Sequence, residues 1–126
     1  MGYLDVFYRP FFHRFRSKRM GLFVRTMKPD SRKMVLDVGG TSSFWRTQPD
    51  IRNVVILNLR QDHWISSRRK VLGDGRSLPF PSKSVDIVFS NSVIEHLPDL
   101  RSQREFAEEI KRVGKSHFVQ TPYKYF

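Results

Sequence analysis

The residues able to do chemistry in this chain gather in four short stretches. The first, MVLDVGGTSS from Met34 to Ser43, is an apolar run that ends in Asp37, breaks at Gly39-Gly40 and continues into Thr41, Ser42 and Ser43. Glycine has no β-carbon, so the backbone there can adopt positive φ and let a ligand come close. Hydroxyl residues after the turn can cap a helix, whose free N–H groups and positive dipole end suit a carboxylate or a phosphate. In an open α/β sheet a nucleotide-like ligand sits at this place, outside the carboxyl end of the first strand. The second stretch is Asn58-Leu59, where an amide closes an apolar run, and the third is Asp74-Gly75-Arg76, a carboxylate in a turn pair. The fourth is Ser90-Asn91-Ser92, followed by His96, the nearby candidate for a general base. Each has a plainer reading. Asp37 can cap the glycine turn, Asp74-Gly75 is a common turn pair, Asn91 can cap a helix, and His96 can cap or pack the turn 93–97.

These residues need a scaffold, and the hydrophobic pattern supplies one. Met20, Phe23, Val24 and Met27 recur at helical spacing from Ser17 onward, and Pro29-Asp30 ends that helix. Strands are expected at Met34 to Val38, at Asn53 to Leu59 (NVVILNL, apolar enough to be buried on both faces), at Lys70 to Leu72, at Ser84 to Ser90 and at Ser116 to Thr121. Between them, Phe44 and Trp45 give the sheet-facing side of a short helix in 41–50, and Asp62 to Arg69 forms another. Asp99 caps a helix from Leu100 to Val113 that Gly114 stops, while the prolines of Leu78-Pro79-Phe80-Pro81 keep 76–84 irregular. Strand and helix alternate, which implies a parallel sheet with right-handed crossovers.

At 126 residues the chain is one domain, divided here into a basic, aromatic extension and helix over 1–33 and an α/β unit over 34–126. Without cysteine there is no disulfide and no thiolate metal site. No apolar run approaches the roughly 20 residues that span a bilayer, so a soluble, cytoplasmic protein is the expectation. The net charge is +11, and residues 1–33 alone hold nine Lys/Arg against Asp5 and Asp30. Aromatics interleave with these cations in MGYLDVFYRPFFHRFR. Such an arm, over residues 1–19, could contact an anionic surface such as nucleic acid or lipid, or simply dock on the domain.

Three stretches together resemble the class I S-adenosylmethionine-dependent methyltransferases, in the group of small type 11 methyltransferase domains: VLDVGG at 35–40, GDGRSLPFPSKSVDIVFSNSVIEHL at 73–97, and EFAEEIKRVGKSHFVQTP at 105–122. The resemblance implies a Rossmann-like three-layer sandwich with strand order 3-2-1-4-5 and S-adenosylmethionine as cofactor. Carried over by position, Asp37, Gly39, Gly40 and Thr41 would hold its methionine end. Asn58 and Leu59 would meet the ribose; Asp74, with Gly75 and Arg76, would take the adenine amine. Ser90, Asn91 and Ser92 would line the methyl-bearing side. The chemistry asks for the same things: apolar walls and one acceptor for a flat adenine, a polar fork for two hydroxyls, and an acid with backbone N–H groups for a zwitterion.

The sequence departs from the family at three positions. Thr41 and Ser43 stand where glycines are usual, and Asn58 stands for an acid, which implies weaker cofactor affinity. A nicotinamide-type G-x-G-x-x-G is ruled out, because Thr41 and Phe44 occupy its second and third glycine positions. Family domains also continue past a fifth strand with a helix and strands 6 and 7. The resemblance therefore implies a fragment, or a degenerate copy that no longer catalyses, with strand 116–121 open to self-association. No metal is expected, and the acceptor, a small molecule or a lipid- or saccharide-type compound, is not identified by these residues. The rival readings are an inactive remnant and a basic module for nucleic acid or membrane surfaces.

Overall fold

The computed structural model describes residues 18–59 and 69–121. At its centre lies a five-stranded parallel sheet: β1 Val35–Val38, β2 Val54–Asn58, β3 Arg69–Leu72, β4 Val85–Asn91 and β5 Gly114–Gln120. Their order is β3-β2-β1-β4-β5, the Rossmann-like arrangement expected from the sequence. Every ladder is parallel, with Val35 opposite both Val54 and Ile87. The central strands β1 and β2 are mostly Val, Ile and Leu, interrupted only by Asp37 and ended by Asn58, because both of their faces are covered.

Two apolar clusters make the three layers. On one face, α1 (helical over 18–27) and the single-turn α2 (Ser42–Trp45) set Met20, Phe23 and Trp45 against Val35, Ile56, Ile87 and Phe89. On the other, α3 (Leu100–Val113) sets Phe106, Ile110 and Val113 against Leu36, Val38, Val55, Leu57 and Val88. Fully burying side chains of this size is worth roughly 1.5–3 kcal/mol each. Phe23 and Phe89 meet edge to face with ring centroids 4.9 Å apart, so α1 is fixed to the middle of the sheet. Val24, expected on the buried side of α1, is exposed. The buried stripe is Met20, Phe23 and Met27, and position 24 falls off its edge.

Asp99 caps α3 as expected, its carboxylate accepting from the Ser102 N–H at 2.7 Å. Gly114 ends the helix differently from the expectation. Its φ of −83° and ψ of 137° are extended, so α3 passes into β5 with no loop, and the strand starts at Gly114 rather than at Ser116. A β-carbon at Gly114 would lie 2.6 Å from the Ser116 carbonyl oxygen and 2.8 Å from Val88 Cγ2, so close packing is what requires glycine there. Residues 1–17 of the basic arm, residues 62–68 of the helix expected from Asp62 to Arg69 and the tail after Thr121 lie outside the described residues, while Arg69, expected to end that helix, opens β3 instead. Among the described residues no helix is long and apolar enough to cross a membrane.

Candidate ligand-binding site

In this topology the chain leaves β1 toward β2 and β3 and later returns on the other side as β4 and β5. The reversal between β1 and β4 opens a crevice at the carboxyl ends of the strands. A cavity of about 240 Å³ lies there, formed by the ends of β1, β2 and β4 and by the loop after β3. Its walls are apolar, with Val38, Leu57, Val93, Leu97 and Phe106 around the floor, and polar groups stand only at its margins.

Glycines shape it at two points. Gly39 has φ +83°, and a β-carbon there would come within 2.6 Å of Val93 Cγ2. The left-handed backbone turns the chain away from the crevice, and glycine adopts it without the steric cost other residues carry. At Gly75 a β-carbon would meet Phe106 at 2.5 Å and Val38 at 2.8 Å, so glycine lets the loop lie directly on the cavity floor.

That loop is held on α3 by Arg112 and Glu109. Arg112 of α3 donates to the Leu78 and Phe80 carbonyls at 3.0 and 2.9 Å and pairs with Glu109 at 2.7 Å, while Glu109 accepts from the Leu78 N–H at 2.7 Å. The prolines cannot join a ladder, so these bonds replace one.

Of the residues singled out from sequence, Gly39, Asn58, Leu59, Asp74, Gly75, Ser92 and His96 come together around the cavity. Asn58 donates to the Gly40 carbonyl at 3.0 Å and accepts from the Leu59 N–H at 2.8 Å. Half of its hydrogen-bonding capacity is left for a ligand. Asp74 is more fully engaged. Arg76 donates to it from its backbone N–H at 2.9 Å and from its guanidinium at 2.7 to 3.1 Å. The Arg76 side chain thereby holds the Asp74 carboxyl below its usual range. Ser92 adopts φ +59°, uncommon for a residue with a side chain, and Leu59 is largely exposed at the rim.

Asp37, Gly40, Thr41, Arg76 and Asn91 do not line the cavity. Asp37 is only 2% exposed, and its Oδ2 accepts a 2.7 Å hydrogen bond from the Trp45 indole. Burial pushes its pKa up to about 7, with the Trp45 hydrogen bond pulling the other way. Gly40 packs directly on that carboxyl. Asp37 thus ties the glycine turn to α2 inside the protein. Thr41 occupies the N-cap position of α2 without a side-chain capping bond, and a one-turn helix sums too few peptide dipoles to act as an anion site. Asn91, the last residue of β4, accepts at 3.4 Å from Arg19 of α1. His96 is mostly in solvent, its Nε2 3.8 Å from Glu95 Oε1.

The sequence reading missed the wall residues Val38, Leu57, Val93, Leu97 and Phe106. The signal was available, since four of them directly adjoin a polar residue that was chosen. Among the described residues no group of three or more His, Asp or Glu side chains is placed to hold a metal ion.

Comparison with known proteins gives the same architecture. The profile of a family described as a methyltransferase domain matches residues 47–117. Among solved structures, the chain is similar to the YcgJ protein of Bacillus subtilis, with 21% identity and a TM-score of 0.68, over 85% of this chain and 51% of that one. It is similar to the PH0226 protein of Pyrococcus horikoshii, with 24% identity and a TM-score of 0.67, over 85% of this chain and 57% of that one. A SAM-dependent methyltransferase of Aquifex aeolicus shares 19% identity with a TM-score of 0.55, over 79% of this chain and 67% of that one. The chain thus spans about half the length of the first two structures. No curated protein matches it.

Proposed function

The chain belongs to the methyltransferase domain family, and from that premise we propose that it binds S-adenosylmethionine in the crevice between β1, β2 and β4 and takes part in methyl transfer from it. One observation carries this reading: an apolar cavity at the switch point of the sheet, bordered by a glycine at φ +83° on one side and by an amide and a carboxylate on the other.

The residues fit the cofactor in part. Leu57, Leu59 and Phe106 offer apolar surface for the adenine ring, and Asn58 keeps one donor and one acceptor for the ribose hydroxyls. Asp74 is the acceptor for the adenine amine once Arg76 yields one of its bonds. Gly39 leaves room for the sulfonium end, beside Ser92. When bound, the cofactor supplies an activated methyl group, which leaves carbon–sulfur bond breaking to the cofactor itself. What remains for the protein is position and electrostatics. The apolar walls exclude water from that end, and His96 stands at the rim as the residue able to accept the proton an acceptor loses.

A second reading, an inactive remnant that keeps the fold and no longer binds the cofactor, is favoured by the Asp74–Arg76 pair, which occupies the acceptor the purine needs. Isothermal titration calorimetry separates the two. Saturable heat with S-adenosylmethionine, weakened at least tenfold by Asp74→Ala, is the expected result. No heat at millimolar cofactor, or no change on the substitution, would overturn the first reading.

A further inference from the structure

Beside the cavity stand three buried oxygens that have no hydrogen-bond partner among the described residues. Both carboxylate oxygens of Glu95 and Oε1 of Gln120 are shielded from solvent without a hydrogen-bond partner. The neighbouring His96 ring does not serve, because its Nε2 is 3.8 Å from Glu95 Oε1 and the ring projects into solvent.

The main chain brings the two residues to one corner of the sheet. Gln120 ends β5 opposite Asn91, the end of β4, and its carbonyl accepts from the Ser92 N–H at 2.9 Å. Glu95 follows three residues later, in the 3-10 turn Ile94–His96. Its neighbours Ser92, Val93, His96 and Leu97 line the cavity and Glu95 does not, so its carboxylate stands outside that wall. The side-chain oxygen of Asn91 accepts from Arg19, so this amide oxygen is already occupied.

Buried polar groups are nearly always paired, and an ionised carboxylate can only accept. Three acceptors without a donor lack a group that only donates. An alkylammonium is such a group, with three N–H donors, no lone pair and one positive charge. A hydroxyl brings lone pairs of its own and no charge, and an anion would be repelled by Glu95.

We propose that Glu95 and Gln120 form a subsite for a primary ammonium group and, resting on the methyl-transfer reading above, that this subsite anchors the methyl acceptor by an amine that is not itself methylated. A protonated amine has no lone pair with which to attack the sulfonium methyl. The anchored nitrogen is therefore a handle, and the nucleophilic atom lies elsewhere in the same molecule, reaching past Ser92 toward the cavity.

The test is a titration of the full chain with n-butylammonium chloride followed by amide NMR, with n-butanol and sodium butyrate as matched controls and S-adenosylhomocysteine titrated separately. Butylammonium is expected to shift the Ser92, Glu95 and Gln120 amide signals saturably while the controls do not. Glu95→Gln is expected to weaken this binding about tenfold or more and leave S-adenosylhomocysteine binding intact. Gln120→Leu, expected to weaken it less, serves if Glu95→Gln does not fold. Absence of saturable shifts at these amides, or equal affinity in both variants, would overturn the subsite. Ammonium binding without S-adenosylhomocysteine binding would support the subsite and overturn the methyl-transfer reading, whereas the converse would overturn the subsite alone.

Discussion

Trp45 donates its indole N–H to Asp37 Oδ2 at 2.7 Å inside the core, binding the end of β1 to the single turn of α2. Trp45 has no exposed surface and packs edge to face on Phe23, Phe44 and Phe89. The indole is therefore held in place by three aromatic rings, and the acid must come to it.

Burial of Asp37 makes stability depend on pH, with the Trp45 hydrogen bond opposing the shift. Asp37 titrates near 3.8 in the unfolded chain and near 7 in the folded one, so the folded state holds the proton more tightly. Its contribution is full below pH 3.8 and is lost as pH rises through about 7, at up to ~1.4 kcal/mol per pH unit. Asp74, Asp86, Asp99 and Glu109 run the other way, because hydrogen bonds lower their values; what they contribute is lost only in acid. Urea denaturation is expected to show stability falling between pH 5 and pH 7. Asp37→Asn should flatten that slope and be more stable than the wild type at pH 8. A slope that persists in Asp37→Asn would place its origin in another group.

Arg76 competes with any amine for Asp74. Removing it in Arg76→Ala frees the carboxylate, and S-adenosylmethionine affinity is expected to rise about tenfold, or ~1.4 kcal/mol. Calorimetry on the variant checks this, and weaker binding would show that Arg76 itself contacts the ligand.

Arg112 holds the proline loop by charged hydrogen bonds to two carbonyls. Arg112→Ala is expected to cost about 2–3 kcal/mol and to speed amide exchange at Leu78 and at neighbouring loop residues. Arg112→Lys should not restore the loss, since an ammonium cannot span Glu109, Leu78 and Phe80 together.

Gly39→Ala combines backbone strain with a clash. In a Val93→Ala background the clash with Val93 Cγ2 disappears, and the substitution is expected to cost only the conformational part, about 1–2 kcal/mol. In the wild-type background it should cost more. Equal costs in a double-mutant cycle would mean that Val93 moves aside freely.

The sheet was legible because each central strand is a compact apolar run and each break carries glycine, proline or an acid. Val54 to Asn58 and Leu100 to Val113 follow their patterns within a residue, the second because Asp99 and the spacing of Phe106, Ile110 and Val113 agree. Gly39, Asn58 and Asp74 converge on one cavity because the ends of parallel strands lie side by side. What sequence did not reveal depends on partners brought in by folding. Asp37 meets Trp45, Asp74 meets Arg76 and Asn91 meets Arg19, internal partners that any ligand contact at these residues has to reckon with. Spacing carries no trace of such competition, because an acid looks the same in sequence whether or not another side chain reaches it first. The orphaned oxygens of Glu95 were equally hidden, since burial without a partner is a property of three-dimensional surroundings.

The position of β1 has a consequence for synthesis. Its neighbours, β2 and β4, both follow it in the chain, and Val35 must wait for Ile87, 52 residues later, before both of its edges are paired. On a translating ribosome this fully buried strand therefore emerges early with bare edges and stays so until most of the domain has left the exit tunnel, an interval in which holding factors have their best opportunity to bind it.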